Sequence, residues 1–404
     1  MDITHCGPGR VTAMFALALA VIGPKAVAAP PAGLALQFVY DGDLWSNLSG
    51  GQRTGEVYAA HLDMSLTADA NTLFGWTGTK FYWRGFADSG ASISRLVGDV
   101  QGVNNWESGY RAGKLLEAWV DHVWIDSGTS LRFGLYDTAT EFDKNKSQVL
   151  FLNGSQGMNR PLSLSGQNGP STYPATSLGL RLRHEFNQHW NVKAAVLDGV
   201  PDDPAVPQAT VVAISPRDGA LMIGELRYHD PSGHRMAAGY WRYTADFIRL
   251  ETPAAAFSNR DDGNQGFYLS GDLMLTSTPG DPLRGISTGL RLAHAEDRFN
   301  PYTWFASGVV TDIGFSRGRP EDKLGFGFAY SRTGEAFRRG QFAQHQPVRS
   351  GELTLEATYR APVTSWISLQ PDLQYVIHPA NAPTRSSALV IGLRMELTFA
   401  AGEL

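Results

Sequence analysis

The chain has 404 residues, a formal net charge of −5 at pH 7, 18% charged residues and a single cysteine, Cys6. This acidic balance argues against a nucleic-acid-binding protein, and one cysteine excludes a scaffold built on disulfides. The length fits either two or three small soluble domains or one large β-barrel, so composition alone does not separate these classes.

The first 28 residues have the layout of a secretory signal peptide. Residues 1–10 are polar, residues 11–22 form an apolar run too short to cross a membrane as a helix, and residues 26–28 offer an A-x-A cleavage site. We expect cleavage after Ala28, which leaves a barrel domain of residues 29–404. Later apolar runs all stay below ~18 residues, so a β-barrel is the membrane fold that remains for an exported chain.

Strand signals recur along the whole chain, and the last one is the clearest. In residues 388–399 apolar side chains take every second position, which is typical of a strand with one apolar and one wet face. Its length suits a bilayer crossing, which needs ~9–11 residues of tilted strand. Sixteen strands are predicted: 34–45, 56–68, 79–87, 115–126, 130–136, 175–185, 190–198, 220–229, 234–245, 265–275, 285–295, 303–315, 323–331, 352–360, 366–377 and 388–399.

The links between these strands alternate in length. Even-numbered links are mostly short, namely 127–129, 187–189, 230–233 and 361–365. Odd-numbered links are mostly longer, namely 88–114, 137–174, 199–219, 246–264 and 332–351. An outer-membrane barrel has short periplasmic turns and long external loops, whereas a soluble all-β protein, the alternative, has no reason to sort its loops in this way. We therefore predict an all-β, transmembrane antiparallel β-barrel of about 16 strands.

Charged residues within the strands fall on one face. An arginine that faces lipid at mid-depth costs roughly 2–4 kcal/mol, so this face is predicted to line the lumen. It carries seven arginines and seven carboxylates: Arg132, Arg181, Arg183, Arg227, Arg242, Arg291 and Arg394, with Glu117, Asp121, Glu225, Glu352, Glu356, Asp372 and Glu396. A balanced lumen suits a neutral solute, although these charges could instead only stiffen the wall. Aromatic residues near strand ends are predicted to form interfacial girdles: Trp45, Trp124, Trp190, Trp304, Tyr359, Trp366 and Tyr375.

Three segments resemble the carbohydrate-selective porin family of Gram-negative outer membranes. They are LRFGLYDTATEFDKNKSQVLFLN at 131–153, residues 173–201, and residues 359–394, in which QPDLQY at 370–375 and His378-Pro379 are the most specific. The resemblance spans most of the chain after the signal peptide. It implies a sixteen-stranded barrel that admits monosaccharides and related small solutes by diffusion. Barrels of this kind usually end on an aromatic residue, whereas here Phe399 is followed by five further residues.

A sugar pathway needs aromatic faces and hydrogen-bonding groups that bind weakly enough for release. The predicted strand 115–126 offers both kinds of group. Its predicted lumenal residues are Glu117, Trp119 and Asp121, and its predicted outward residues are Leu116, Ala118 and Val120. Trp119 is therefore a candidate stacking platform, and packing against an inward-folded loop is the alternative.

The longest link, 137–174, is the first candidate for a pore constriction, because loops of this length usually have a function or are disordered. Its candidate residues are Asp137, Glu141, Asp143, Asn153 and Arg160, with Arg132 and Tyr136 at its root. The link 88–114 is the second candidate, through Asn104, Asn105, Trp106 and Glu107. A solvated surface loop is the alternative for both. The predicted sugar-pathway residues are Glu117, Trp119, Asp121, Arg132, Tyr136, Asp137, Glu141, Arg160, Arg181, Arg183, Arg291 and Arg394.

Other chemistry finds little support in the sequence. Residues 261–264 resemble the start of a calcium loop but lack the ligands that should follow, and neither a zinc pattern nor a G-x-S-x-G elbow occurs. We expect no enzyme activity and no cofactor. The expected partners are small sugars, outer-membrane lipid and lipopolysaccharide, and the barrel-assembly machinery during biogenesis. The alternatives to a sugar porin are a general or anion-preferring porin, a barrel enzyme such as a lipase, and a structural or adhesive barrel.

Overall fold

A computed structural model describes residues 30–107, 109, 111–251, 260–278, 281, 284–316, 318–402 and 404. The expected signal peptide, residues 1–28, lies outside these described residues. Within them, the helices are all too short or too polar to cross a membrane.

Sixteen antiparallel strands of the described chain close into one barrel. Each strand pairs with its neighbours in the chain, and the first strand pairs with the last from Leu36 opposite Ala401 to Ser49 opposite Leu389. The strands are β1 Leu34–Ser49, β2 Gly55–Asp69, β3 Thr79–Gly90, β4 Ala112–Trp124, β5 Thr129–Leu135, β6 Leu178–Glu185, β7 Trp190–Asp198, β8 Ala220–His229, β9 Arg235–Tyr243, β10 Gln265–Met274, β11 Gly285–Ala295, β12 Tyr302–Ile313, β13 Lys323–Thr333, β14 Gly351–Pro362, β15 Ile367–Ile377 and β16 Ala388–Ala401. The predicted antiparallel sixteen-stranded barrel is confirmed.

The two barrel ends differ in their connections. The end that carries the first residue of β1 and the last residue of β16, here called the turn end, has connections of at most ten residues. The opposite loop end carries the longer excursions 91–111, 136–177, 199–219, 244–264 and 334–350. The short helices are α1 Ala70–Phe74, α2 Ser94–Val97, α3 Arg160–Ser163 and α4 Glu335–Ala343. Of these four helices, α1 lies at the turn end and the other three lie at the loop end.

The strands alternate between a lumenal and an outer face, as predicted. In β6, for example, Leu180 is 47% exposed on the outer wall and Arg181 is 1% exposed on the inner wall. The alternation follows from strand geometry, in which successive side chains point to opposite faces of the sheet. The barrel can therefore present leucine to lipid and keep arginine inside.

Three predicted orientations are wrong. Arg242 lies on the outer wall at the loop end, where its side chain is 47% exposed and pairs with Asp262 at 3.3 Å, because the buried Trp241 sets the opposite parity in β9. Trp45 is 2% exposed inside the barrel rather than in a girdle. Leu116 is fully buried instead of facing outward, because the strand pairing shifts by one residue at this point and leaves Leu115 outside.

Apolar side chains fill part of the lumen, although the alternation along the strands predicts a polar, solvated lumenal face. A large inner cluster packs residues of the 136–177 excursion, Phe142 and Leu162 among them, against the buried Trp241 and Tyr268 of the wall. A small inner cluster packs Ile93 and Val97 with other residues of 91–111 against Trp45 and Val390. Burial of each large apolar side chain contributes about 1.5–3 kcal/mol, so both excursions are held inside the barrel.

Candidate functional site

Two loop-end excursions lie against the inner wall, and we call residues 91–111 the first inner loop and residues 136–177 the second inner loop. Wall carboxylates fasten the second inner loop by accepting hydrogen bonds from its backbone N–H groups. The bonds run from Asp143 N to Glu225 at 3.0 Å, from Lys146 N and Ser147 N to Asp272 at 2.8 and 3.1 Å, and from Leu152 N to Glu356 at 2.6 Å. A buried backbone N–H group that loses its acceptor is costly, so these bonds fix the path of the loop.

The first inner loop is fastened in the same way. Glu352 accepts hydrogen bonds from Val100 N at 3.0 Å and Gln101 N at 3.1 Å. Arg394 forms a two-pronged ion pair with Asp43, both contacts at 2.8 Å, and also donates to Asn104 Oδ1 at 2.8 Å. Glu225, Glu352 and Glu356 therefore hold loops in place, and they are not free to form the balanced set of pore charges that the sequence suggested.

A second group of charges lies together on one side of the lumen and is here called the charged wall. It consists of Arg84, Glu117, Asp121, Arg132 and Arg181 of the strands with Asp137 and Glu141 of the second inner loop. Asp121 lies 2.9 Å from Arg132 and 2.6 Å from Arg181. Glu141 lies 3.5 Å from Arg132 and 3.0 Å from Arg181. Each arginine thus contacts two carboxylates, and the wall presents alternating charges to the lumen.

Arg84 extends the charged wall, and the sequence reasoning missed it. Its guanidinium lies 2.6 Å from Asp63, 3.5 Å from Glu117 and 3.8 Å from Asp137. The signal was present in the sequence, because Arg84 is a charged residue within the predicted third strand. It lies two positions after Tyr82, so both side chains point to the same face, which is the lumenal one.

Glu141 stays ionised within the second inner loop. Burial opposes its ionisation, but the positive charges of Arg132 and Arg181 outweigh burial and hold the pKa of Glu141 below its ordinary value. The Tyr136 hydroxyl also donates to Glu141 at 2.7 Å. Eight of the predicted pathway residues thus come together here: Glu117, Trp119, Asp121, Arg132, Tyr136, Asp137, Glu141 and Arg181.

Trp119 is covered by its neighbours. The Arg132 guanidinium lies 3.7 Å from the centre of the indole, and the Tyr82 ring stacks at 4.9 Å with an interplanar angle of 28°. Tyr82 belongs to β3 and Arg132 to β5, so they approach Trp119 from opposite sides of β4. The geometry therefore favours a packing role for Trp119, with wall residues rather than a loop as the main partners.

The other four predicted pathway residues lie away from the charged wall. Arg183 pairs with Glu185 near the turn end. Arg291 contacts Asp143 at 2.9 Å and fastens the second inner loop, while Arg394 fastens the first. Arg160 lies in α3 and donates to Ser163 Oγ at 3.2 Å.

A cavity of about 790 Å³ opens on the turn side of the two inner loops. The first inner loop contributes Asn105 and Trp106 to its lining, and residues 146–152 of the second inner loop contribute several more. From the wall, Asp41, Arg394 and Glu396 also line the cavity. The sequence reasoning did not single out Asp41, although its alternation with Asp43 in β1 is the same signal that identified the other lumenal charges.

Comparisons with known proteins agree with this architecture. The family model described as "Carbohydrate-selective porin, OprB family" matches residues 53–399. Porin B of Pseudomonas aeruginosa is 23% identical over 405 residues, covering 91% of this chain and 88% of that protein. The putative porin QuiX of Acinetobacter baylyi is 22% identical, covering 88% and 86%. The high-pH structure of Pseudomonas putida OprB superposes with a TM-score of 0.80 at 20% identity, covering 91% of this chain and 94% of that one.

Proposed function

The chain belongs to the OprB family of carbohydrate-selective porins, and from this premise we propose that it lets monosaccharides such as glucose diffuse passively into the periplasm. A protein of this family and fold is an outer-membrane channel and not an enzyme. The charged wall is the main support for a neutral solute over a charged one. Its arginines and carboxylates are paired at 2.6–3.8 Å, so it offers hydroxyl-binding groups of both kinds without a strong field of one sign.

Swelling of proteoliposomes tests this proposal. Vesicles that contain the protein are expected to admit glucose faster than protein-free vesicles, and more slowly as the sugar grows from a monosaccharide to a trisaccharide. A glucose entry rate no higher than that of protein-free vesicles would overturn it.

An anion-preferring porin is the second candidate function. Two observations favour it. Several wall carboxylates are engaged in hydrogen bonds that hold the inner loops. In addition, Lys146 is exposed in the second inner loop and lines the cavity. Reversal potentials in a salt gradient separate the two candidates. A near-zero potential supports the neutral-solute porin, and a strong anion preference supports the second candidate.

Export and assembly complete the proposal. Residues 1–28 would serve as a cleaved signal peptide, the barrel-assembly machinery would insert the barrel, and lipopolysaccharide would surround the loop end. The A-x-A pattern at 26–28 supports the first step. Arg242, exposed on the outer wall at the loop end, is a cation suited to lipopolysaccharide phosphates. Intact-mass measurement of protein from purified outer membranes should give the mass of 29–404, and an uncleaved chain would contradict the signal assignment.

A further inference from the structure

Three aromatic rings form a stack that joins the wall to the cavity. Phe86 of β3 stacks with His61 of β2 at 5.9 Å, and His61 stacks with Trp106 of the first inner loop at 4.2 Å with an interplanar angle of 2°. Trp106 is the member of the stack that lines the turn-side cavity, and it is half-buried. One face of its indole is therefore supported by a buried ring.

The position of Tyr173 shows that the second face of Trp106 is not covered by this tyrosine. Tyr173 is perpendicular to both stacked rings, at 5.2 Å from Trp106 and 5.4 Å from His61. A ring nearly equidistant from two parallel rings lies beside the stack, because a ring on the far face of Trp106 would be much farther from His61. Among the ring contacts of the described residues, Trp106 therefore has a partner on one face and one at its edge, and it also lines the cavity.

Polar groups of the wall and of the first inner loop line the same cavity as this ring. Asp41 lies directly opposite His61 in the pairing of β1 with β2. Its Oδ1 atom makes no hydrogen bond to any described residue and lies 3.9 Å from Arg394 Nε. Arg394 in turn donates to Asn105 Oδ1 at 2.9 Å. A carboxylate, a guanidinium and an amide therefore line the same cavity as the indole.

We propose that the cavity-facing side of Trp106 is a stacking site for a pyranose ring, with Asp41 and Arg394 as partners for its hydroxyl groups. An indole face carries partial negative charge and attracts the C–H groups on the apolar face of a sugar ring. A buried carboxylate oxygen that lacks a hydrogen bond is a ready acceptor for a sugar hydroxyl. The site rests on the proposed sugar transport and names the groups that would recognise the sugar.

Trp119 provides a contrast within the same barrel. Arg132 and Tyr82 approach it from opposite sides, whereas Trp106 has a ring stacked on one face and a cavity beside it. Trp119 is therefore a matched control, being an indole in the lumen that the geometry does not offer to a sugar.

Proteoliposome swelling with glucose and with mannitol tests the site. Mannitol is an open-chain hexitol close to glucose in size, so it shares the hydroxyl groups but has no ring to stack. In the intact protein we expect glucose to enter faster than mannitol. The variant Trp106→Leu should lose about three- to tenfold of the glucose-to-mannitol preference, Trp106→Phe should retain most of it, and Trp119→Leu should leave it unchanged.

Each outcome has one meaning. An intact protein that fails to prefer glucose over mannitol overturns the stacking site, and one that admits neither solute also overturns the proposed function. If the intact protein prefers glucose and Trp106→Leu keeps that preference, the stacking site is wrong while sugar transport stands. A Trp106→Leu variant that speeds both solutes equally has only loosened the first inner loop, which also overturns the site.

Discussion

At the scale of single residues, the ion pair between Arg394 and Asp43 shows how a lumenal charge can serve the fold. Both groups are buried, and their two-pronged contact at 2.8 Å is joined by Asn104, which donates to Asp43 at 2.8 Å. The sequence predicted that Arg394 faces inward. It did not predict the partner, because the pairing of β1 with β16 joins residues that are 351 positions apart.

We predict that Asp43→Ala destabilises the barrel by about 3–5 kcal/mol, because it leaves the Arg394 guanidinium buried without its carboxylate. The measurement is the midpoint of guanidinium-induced unfolding in detergent micelles. Asp126→Ala, in an exposed turn, is the control and should change the midpoint little. The double variant Asp43→Ala, Arg394→Met should recover part of the loss. A double variant no more stable than Asp43→Ala would contradict this explanation.

A second residue-scale prediction concerns Glu107 of the first inner loop, which accepts hydrogen bonds from Ser92 Oγ at 2.6 Å and Ile93 N at 2.8 Å. Burial raises the pKa of Glu107 from 4.5 to about 7. The folded loop therefore holds a proton that a detached loop releases. Its attachment should be strongest below pH 4.5 and should weaken as the pH rises to 7, by about 1–3 kcal/mol.

Hydrogen exchange of the Ile93 amide, corrected for base catalysis, measures this loop opening between pH 5 and pH 8. Glu107→Gln removes this titrating group and should reduce the pH dependence. A variant with the same pH dependence as the intact protein would assign the effect to another group.

At the scale of elements, the strands could be predicted from sequence more fully than the loops. All sixteen predicted strands overlap observed ones, with ends that differ by at most four residues, because period-two alternation is a local signal. The paths of the two inner loops depend on contacts with distant strands. For example, Leu152 meets Glu356 across 204 positions, and no local pattern encodes such a pairing. Side chains on these loops, such as Trp106, could be named as candidates but not placed.

We predict that Glu356→Ala loosens the second inner loop, because it removes the acceptor for Leu152 N and Asn153 N at 2.6 and 3.3 Å. The expected result is a higher single-channel conductance in planar bilayers. Glu356→Gln is the matched control, since its amide oxygen can still accept a hydrogen bond, and it should stay nearer to the original conductance. Equal conductance in all three proteins would mean that Glu356 does not hold the loop.

At the scale of the whole molecule, the barrel depends on the seam between β1 and β16. Gly392 lies opposite Trp45 in this seam, and a Cβ atom added there would lie 2.4 Å from the indole. The strand continues past Phe399 to Ala401, opposite Leu36, so part of the segment after the last aromatic residue belongs to the seam as well. Residues 400 and 401 thus extend the last strand.

We predict that Gly392→Val hinders closure of the barrel, because the new side chain overlaps Trp45. Folded outer-membrane barrels migrate differently on gels before and after heating, so the folded fraction of unheated samples is the measurement. Gly113→Val is the control, since a Cβ atom there would come no nearer than 4.0 Å to its neighbours. A similar folded fraction for both variants would show that the seam tolerates the overlap.

The way in which the second inner loop is fastened has a consequence for how this pore can change. Glu225, Asp272 and Glu356 hold the loop mainly through backbone N–H groups, which every amino acid except proline possesses. Side chains at positions such as 146 and 152 can therefore be exchanged without removing the bonds that hold the backbone there. The lining could be adapted to a new solute by successive substitutions while the architecture of the passage is inherited intact.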